Sequence, residues 1–345
     1  MNFDYNEEQQ LLADSVRRFL QNSYRFEERQ KIVAGEGWSP QVWSTFAQMG
    51  LIGLPFSPDY GGFGGGAVDL MSIMEAFGEA LVMEPYLPTI LAAKLISKNK
   101  AVAKRVLPAV VEGRMKLAFA YAEQGSRYDL SKLGSLKGEK KAVLGAPMAD
   151  KLVVAAKSGL HLVDAAEVKM KSYQTLDGMR AADIDLAGSK GELISKSLDS
   201  VEEAVDFVTA LVCADAVGAM KFACDATLEY LKTRKQFGVP IGTFQALQHR
   251  VVDMYISYEQ AKSMACLACS KVDSSQNAAD RSRAVSAAKI KIADSARHIS
   301  QEAVQLHGGM GMSEELKVSH TFRRLTAAAR QFGDADHHLE RFASL

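Results

Sequence analysis

The sequence has no excess of charge of either sign, since 41 lysine and arginine residues balance 41 aspartate and glutamate residues over 345 positions. Without a basic surplus, the chain has no field to attract nucleic-acid phosphates or anionic lipid, so neither partner is expected. Four cysteines are too few for a disulfide scaffold of this size. Cys266 and Cys269 form a single C-x-x-C pair on a predicted helix, so we expect no metal site.

Long hydrophobic runs are also scarce, and no segment resembles the roughly 20 apolar residues needed to cross a bilayer. The first residues, from Met1 to Glu8, are acidic and polar, whereas a signal peptide is basic and then apolar. We therefore expect a cytoplasmic protein without a membrane span. Hydrophobic residues make up 48% of the chain, which is enough for a large core and excludes global disorder.

The chain divides into three predicted domains, and the fold class is mainly α with a small β domain. Residues 1–114 are mostly helical, and residues 115–198 contain short apolar runs between glycines, typical of a small antiparallel, barrel-like β domain. Residues 199–345 are helical again and are predicted to form a bundle. Two stripes with steps of three or four residues predict its long helices: Leu247, Val251, Met254, Tyr258, Ala261, Ala265 and Ala268, then Val285, Ala288, Ile292, Ala296, Ile299, Ala303 and Leu306.

The strongest local motif begins at Arg234, where a long predicted helix ends, and continues through Phe237 and Gly238 to Gln245 on the next helix. An arginine at such a corner can present its guanidinium fork to a pyrophosphate. An ordinary connection between helices with a surface arginine fits the residues equally well.

A second motif follows the last long stripe, from Gln305 through Gly308 and Gly309 to Glu314. Closely spaced glycines let a ligand approach bare backbone N–H groups, a common way to hold phosphates. A glycine-rich helix end is the plainer interpretation. The motif does not follow a strand, so a Rossmann site is not supported.

Together, the two motifs and the order of helices, β domain and helices resemble the acyl-CoA dehydrogenase family of flavoproteins over nearly the whole chain. The resemblance implies that the chain binds FAD, and that it grips the ADP half of an FAD held mainly by a neighbouring subunit. Further segments that carry it are Gly50–Pro55, Tyr60–Gly64, Ala120–Ser126 and Gly138–Lys140. By resemblance, the residues that grip the ADP half are Arg234, Phe237, Gln245, Gln305, Gly308 and Gly309.

The resemblance fails where the family carries out its chemistry, the α,β-dehydrogenation of an acyl-CoA thioester. A carboxylate removes the α proton in that reaction, while the β hydrogen leaves as hydride to the flavin. The two usual positions of this base correspond here to Phe332 and Val208, neither of which can take a proton. The family's aromatic and hydroxyl residues beside the flavin ring are also missing from Lys141–Leu144.

With these departures, the chain resembles the smaller subunits of heteromeric acyl-CoA dehydrogenases that act on steroid side chains or dicarboxylic acyl chains. The expected partners are then an acyl-CoA substrate, a homologous subunit in a heterotetramer and an electron-transfer flavoprotein as acceptor. A self-sufficient enzyme that uses Asp334 as its base, with Asp336 and Glu314 as weaker candidates, is one alternative. A non-catalytic scaffold of the same fold is another. The His337–His338 pair could line a pocket, sit at a subunit contact or be solvated surface.

Overall fold

The computed structural model describes residues 6–125, 136–186 and 188–345. Ser126, the last residue of one segment that carries the resemblance, lies outside these ranges, as do the first five residues. The helices are α1 (Glu7–Ser23), α2 (Phe26–Ala34), α3 (Pro40–Gln48), α4 (Ala67–Ala80), α5 (Tyr86–Ser97), α6 (Lys100–Val111), α7 (Asp199–Thr233), α8 (Gln245–Ser274), α9 (Ala278–His307), α10 (Lys317–Ala328) and α11 (Ala335–Ser344). The strands are β1 (Leu117–Ala120), β2 (Glu139–Leu144), β3 (Lys151–Ala156), β4 (Gly159–Asp164), β5 (Lys169–Gln174), β6 (Arg180–Asp185), β7 (Glu192–Ser195), β8 (Lys235–Gln236) and β9 (Val239–Pro240).

The prediction of a mainly helical fold with a small β region is confirmed. The chain forms two compact units. One contains the chain up to Arg29, Ala67–Val82 and Thr209–Leu345, and the other contains Gln30–Gly66 and Met83–Val208. The predicted boundaries at residues 114 and 198 stay a prediction.

The first unit is a helical bundle whose long helices follow the predicted stripes. All seven stripe residues of α9 are buried, as are six of the seven on α8, where Leu247 is only half-buried. The Asn277 side chain caps α9 by accepting a hydrogen bond from the Ala279 N–H at 2.9 Å. A short polar turn therefore joins two helices whose apolar faces pack against each other.

Helices α4 and α7 cross in this unit with their backbones in direct contact. A Cβ added to Gly218 would lie 1.8 Å from the Glu75 carbonyl oxygen, and one added to Gly78 would lie 1.8 Å from that of Asp215. Nearby, the Arg324 guanidinium donates two 2.9 Å hydrogen bonds to the Asp215 carboxylate and one of 3.1 Å to the Val82 carbonyl. Both charged side chains are buried, at 9% and 4% exposure.

The second unit contains two sheets, with strand orders β1-β3-β4-β7 and β2-β6-β5. The prediction of an antiparallel domain is wrong for one pair, because β1 lies parallel to β3. The apolar runs of the sequence correspond to β1, β3 and β4, whereas β2, β5, β6 and β7 were not predicted. Lysines interrupt the apolar pattern of β2 and β5. The fully buried Lys140 ammonium donates to Glu123 at 2.6 Å, which joins two segments that carry the resemblance.

Helix α7 corrects the expectation that no segment is apolar enough to cross a membrane. Among the described residues, it alone combines sufficient length with an 18-residue window of mean hydropathy 1.6, and 89% of that window is buried inside the protein. Burial by other protein elements is the usual state of a core helix. We therefore interpret α7 as a core helix.

Candidate functional site

The first motif forms a tight hairpin between α7 and α8. Strands β8 and β9 enclose a two-residue turn, in which Phe237 and Gly238 have φ values of 56° and 81°. Positive φ at both central residues defines the turn type that favours asparagine and glycine, not a bulky side chain. The Phe237 ring is 90% exposed and contacts Phe244 edge-to-face, with ring centroids 6.2 Å apart.

The hairpin therefore combines two unfavourable features at one residue. A left-handed backbone costs a non-glycine residue about 1–3 kcal/mol, and an exposed aromatic ring gains none of the stabilisation of burial. Among the described residues, the edge-to-face contact with Phe244 is the one ring contact of Phe237, and it leaves the ring 90% exposed. A ligand or a neighbouring chain that covers the ring would account for both.

Arg234, at the base of the hairpin, is exposed and available for an external anion. Within the described residues, no carboxylate lies within ion-pair distance of its guanidinium. Its carbonyl accepts the Ile241 N–H at 2.8 Å, which fixes the backbone of the corner. Gln245, the first residue of α8, is also exposed.

The second motif begins where α9 ends, and its three glycines have different local requirements. Gly308 has φ 61° and ψ −144°, a conformation essentially reserved for glycine. Gly311 lies against the Val304 backbone, where a Cβ would be 2.5 Å from the carbonyl oxygen. Gly309 has neither constraint, because a Cβ there would meet nothing within 4 Å. Gln305 is exposed on the last turn of α9.

The structure brings the two motifs together at one end of the bundle. The Tyr230 ring, one turn before Arg234, stacks on the His307 ring, directly before Gly308, with centroids 4.4 Å apart. His307 donates from Nδ1 to the Ala303 carbonyl at 2.8 Å, and burial lowers its pKa. A neutral imidazole thus fixes the distance between the hairpin and the glycine turn.

This arrangement fits the diphosphate of a dinucleotide presented from outside the chain. Among the described residues, it offers a guanidinium without an ion-pair partner, an exposed aromatic ring, and a glycine at position 309 where a Cβ would meet nothing within 4 Å. Charge-assisted hydrogen bonds to phosphate need such a cation, and bare backbone allows close approach. The six exposed residues of the two motifs are called the ADP grip below.

Phe332, which the resemblance predicts to stand at the usual position of the base, lies in a corner that contains buried polar groups. Phe332 and Gly333 have φ values of 58° and 118°. The Lys289 ammonium, fully buried, donates to the carbonyls of Ala329 at 3.1 Å and Gly333 at 2.8 Å. The corner is therefore rigid, and Phe332 gives it no group that can accept a proton.

His338 is part of the same corner and is not solvated surface, one of the options that the sequence left open. It is only 2% exposed. Its Nε2 donates to the Phe332 carbonyl at 3.2 Å, so Nδ1 accepts from the Ser286 hydroxyl at 3.2 Å. Burial, followed by the charge of Lys289, lowers its pKa to about 3 and keeps it neutral. The sequence analysis did not predict that Lys289 is buried. Its position in the sequence, four residues after Val285 and three before Ile292, places it on the buried stripe of α9.

Asp334 has a structural task at this corner. Its carboxylate accepts the His337 N–H at 3.0 Å and so caps the N-terminus of α11. It also lines a groove of about 860 Å³ between α9, α10 and α11. Glu314 is bound to Arg323, which lowers its pKa, and Asp336 is exposed. None of the three stands out as a base, and Asp334 stays an alternative prediction.

Lys141–Leu144 is the segment without the family's aromatic and hydroxyl residues beside the flavin ring. Its residues make contacts within their own sheet. Lys141 pairs with Glu139 and Asp183, at 2.6 and 3.1 Å. Ala142, at an irregularity of β2 with φ 51°, donates its N–H to the Asp183 carboxylate at 3.1 Å. Val208, at the other usual position of the base, is fully buried.

Because Lys289 is buried, we expect the free energy of unfolding to depend on pH. Burial lowers its pKa from 10.5 to about 8, so between these values the unfolded chain binds more protons than the folded one. The free energy of unfolding should therefore be lowest below pH 8 and rise as the pH approaches 10.5, by about 3 kcal/mol from this residue. Urea denaturation at pH 7.5, 8.5 and 9.5 measures the rise.

Lys289→Met is the matched comparison, because the pKa of Lys317 is also lowered to about 8 and adds its own slope. The variant should lose the Lys289 part of the pH dependence and keep the rest. Equal slopes for the two proteins would show that Lys289 titrates normally.

Two family models match the chain. The N-terminal domain of acyl-CoA dehydrogenases matches residues 6–114, and the C-terminal domain matches residues 198–344. Among curated proteins, the chain is 27% identical to the caffeyl-CoA reductase-Etf complex subunit CarC of Acetobacterium woodii, covering 92% of this chain and 93% of that one.

Solved structures show the same fold. A structure titled as the Tcur3481-Tcur3483 steroid ACAD G363A variant superimposes with a TM-score of 0.89 at 25% identity, over 98% of this chain and 97% of that one. The FAD complex of PigA gives a TM-score of 0.87 at 21% identity, over 100% and 98% of the two chains.

Proposed function

The chain belongs to the acyl-CoA dehydrogenase family, and from that premise we propose that it is the smaller subunit of a heteromeric, FAD-dependent acyl-CoA dehydrogenase. Its part is to grip the ADP half of an FAD whose flavin ring lies mainly in a homologous partner. That partner supplies the catalytic carboxylate. The observation that carries the proposal is the exposed ADP grip in a chain whose usual base positions hold Phe332 and Val208.

The residues of this chain act by binding and positioning. Arg234 would pair with the diphosphate, Phe237 and Gln245 would contact the ADP half, and the Gly308–Gly309 turn would let the phosphates approach bare backbone. When bound, FAD supplies the acceptor for the β hydride of the acyl-CoA thioester. A cation and fixed N–H groups favour the bound dinucleotide over one in water, so the grip secures the cofactor during turnover.

The names of the relatives support the finer assignments. A pair of chains forms the steroid ACAD similar to this one, which supports a heteromeric partner and a steroid-derived acyl chain. CarC is named as a subunit of a complex with Etf, which supports an electron-transfer flavoprotein as acceptor. We also propose a cytoplasmic location, which fits a most apolar helix that is buried inside the protein.

Arg234→Gln tests the grip. Hydrogen bonds to charged groups contribute about 1.5–3 kcal/mol, so FAD should bind roughly 10- to 100-fold more weakly to the assembled complex. The chain is co-expressed with acyl-CoA dehydrogenase homologues from the same genome. Native mass and flavin absorbance per particle are then measured. Arg105→Gln, an exposed arginine paired with Glu192, is the control and should keep full FAD content.

Three outcomes would contradict the proposal. A lone chain with full FAD content and turnover would be self-sufficient, and the Asp334 alternative would gain support. An assembled particle without a flavin band would be a scaffold. Unchanged FAD affinity in Arg234→Gln would remove the ADP grip from the binding site.

A further inference from the structure

A small cavity lies within the helical unit, where α1, α2, α4 and α10 meet. Its volume is about 140 Å³, and none of its lining residues belongs to the ADP grip or to the corner around Phe332. Leu20, Tyr24, Ala76 and Ala80 form apolar walls. A cavity of about 150 Å³ can hold a molecule the size of benzene, so this one has room for about six heavy atoms.

Lys317, the first residue of α10, lines this cavity and brings a charge without a counter-charge. Its ammonium lies 3.9 Å from the centroid of the Phe222 ring. Among the described residues, the ammonium donates no hydrogen bond, and no carboxylate lies within ion-pair distance. Burial lowers its pKa to about 8, because the cation loses water that no acceptor replaces. The aromatic ring compensates only in part, so an anion in the cavity would be stabilised.

The other charges around the cavity favour an anion with one negative charge over an anion with two. Arg25, which is exposed, adds a second cation to the lining. Arg17 also lines the cavity but already pairs with Asp14 at 3.6 Å. Glu79 lines it too, and its charge acts on Lys317, so it repels a dianion more strongly than a monoanion. Phosphate also needs several donors, whereas apolar walls beside one half-buried cation suit a carboxylate with a short hydrocarbon tail.

We propose that this cavity is a binding site for a short-chain carboxylate, whose oxygens accept hydrogen bonds from the Lys317 ammonium and whose tail packs against Leu20 and Ala80. Butyrate, with about six heavy atoms, has the size that the cavity accommodates. The positive end of the α10 dipole lies at Lys317 and adds to the attraction. The site needs neither FAD nor a second subunit, so this inference is independent of the proposed function.

Butyrate and its neutral isostere butyramide test the site on the full chain, with saturation-transfer nuclear magnetic resonance as the measure of affinity. Butyramide should bind roughly 10- to 100-fold more weakly, because it lacks the charge that strengthens a hydrogen bond to an ammonium. Lys317→Met keeps an apolar chain beside Phe222 and removes the ammonium. It should retain the far-ultraviolet circular dichroism of the wild type and lose the preference for butyrate. Lys104→Met, which changes an exposed lysine of α6, is the matched control and should bind butyrate like the wild type.

Proton uptake identifies Lys317 as the group that meets the carboxylate. At pH 8 about half of its amine is neutral, and a bound carboxylate favours the charged form. Butyrate should therefore take up as much as about half a proton on the wild type and none on Lys317→Met, as measured by calorimetry in buffers of different ionisation enthalpy. Above pH 8 the affinity should fall, because Lys317 loses its charge. The guanidinium groups of Arg17, Arg25 and Arg29 and the carboxylate of Glu79 do not ordinarily titrate there.

Three results would overturn the proposal. Equal binding of butyrate and butyramide would show that the cavity does not recognise a charge. Unchanged affinity for butyrate in Lys317→Met would place the carboxylate elsewhere on the chain. Inorganic phosphate that binds more tightly than butyrate, and loses affinity in Lys317→Met, would show that the site takes a different class of anion. None of these results bears on the ADP grip, which Arg234→Gln tests separately.

Discussion

Gly218→Ala is expected to destabilise the protein by about 4 kcal/mol or more, at the upper end of single substitutions. The added Cβ would lie 1.8 Å from the Glu75 carbonyl oxygen, which belongs to backbone and cannot rotate away. Helices α4 and α7 would have to separate by more than 1 Å along a packed contact. Alanine is intrinsically the better helix former by about 1 kcal/mol. Helix propensity alone would therefore make Gly218→Ala stabilising, whereas the backbone clash is expected to make it destabilising.

Urea denaturation followed by circular dichroism measures the effect. Gly309→Ala is the matched control, because a Cβ there meets nothing within 4 Å and φ is not positive. That variant should unfold within about 0.5 kcal/mol of the wild type. A Gly218→Ala protein as stable as this control would mean that the two helices do not cross so closely.

Asp215→Asn is expected to cost about 3–5 kcal/mol, because it leaves the buried Arg324 guanidinium without its carboxylate. The pair is joined by two hydrogen bonds of 2.9 Å, and a neutral carbonyl such as that of Val82 cannot replace the charge of the carboxylate. The double variant Asp215→Leu/Arg324→Met removes both charges and should recover most of the stability. The free energy of unfolding of each variant measures this coupling.

The control is a pair with the same chemistry at the surface. Lys98 and Glu203 lie 2.9 Å apart with side chains 45% and 49% exposed. Solvent screens such a pair, so Glu203→Gln should cost only about 0–1 kcal/mol. Equal effects at the two sites would show that burial does not decide the cost.

The long helices could be predicted from the sequence, because burial of one face imposes a repeat of three or four residues that survives in the residue types. The stripes of α8 and α9 are such cases. Lys289 could not be predicted, since lysine is rarely buried and its carbonyl partners come from another part of the chain. Likewise, Gly218 shows no local pattern, because its role depends on where α4 crosses α7.

The site was predictable in part. The glycine turn and Arg234 were visible as motifs, but their approach through Tyr230 and His307 depends on the tertiary fold. The left-handed backbone conformation of Phe237 could not be predicted, because Phe-Gly lacks the asparagine-glycine signal of a two-residue hairpin. Strands β2 and β5 were missed because their lysines face solvent or carboxylates and break the alternation.

A ring as exposed as that of Phe237 has a cost for any copy that has not yet assembled. Before a partner covers it, the tip of the hairpin offers other unfolded or nascent chains an adhesive surface. Orphaned copies would then be retained by chaperones or degraded. In the proposed heteromeric assembly, synthesis of this polypeptide in step with its companion would keep that population small, and the ring would then link cofactor capture to the ratio in which the two polypeptides are made.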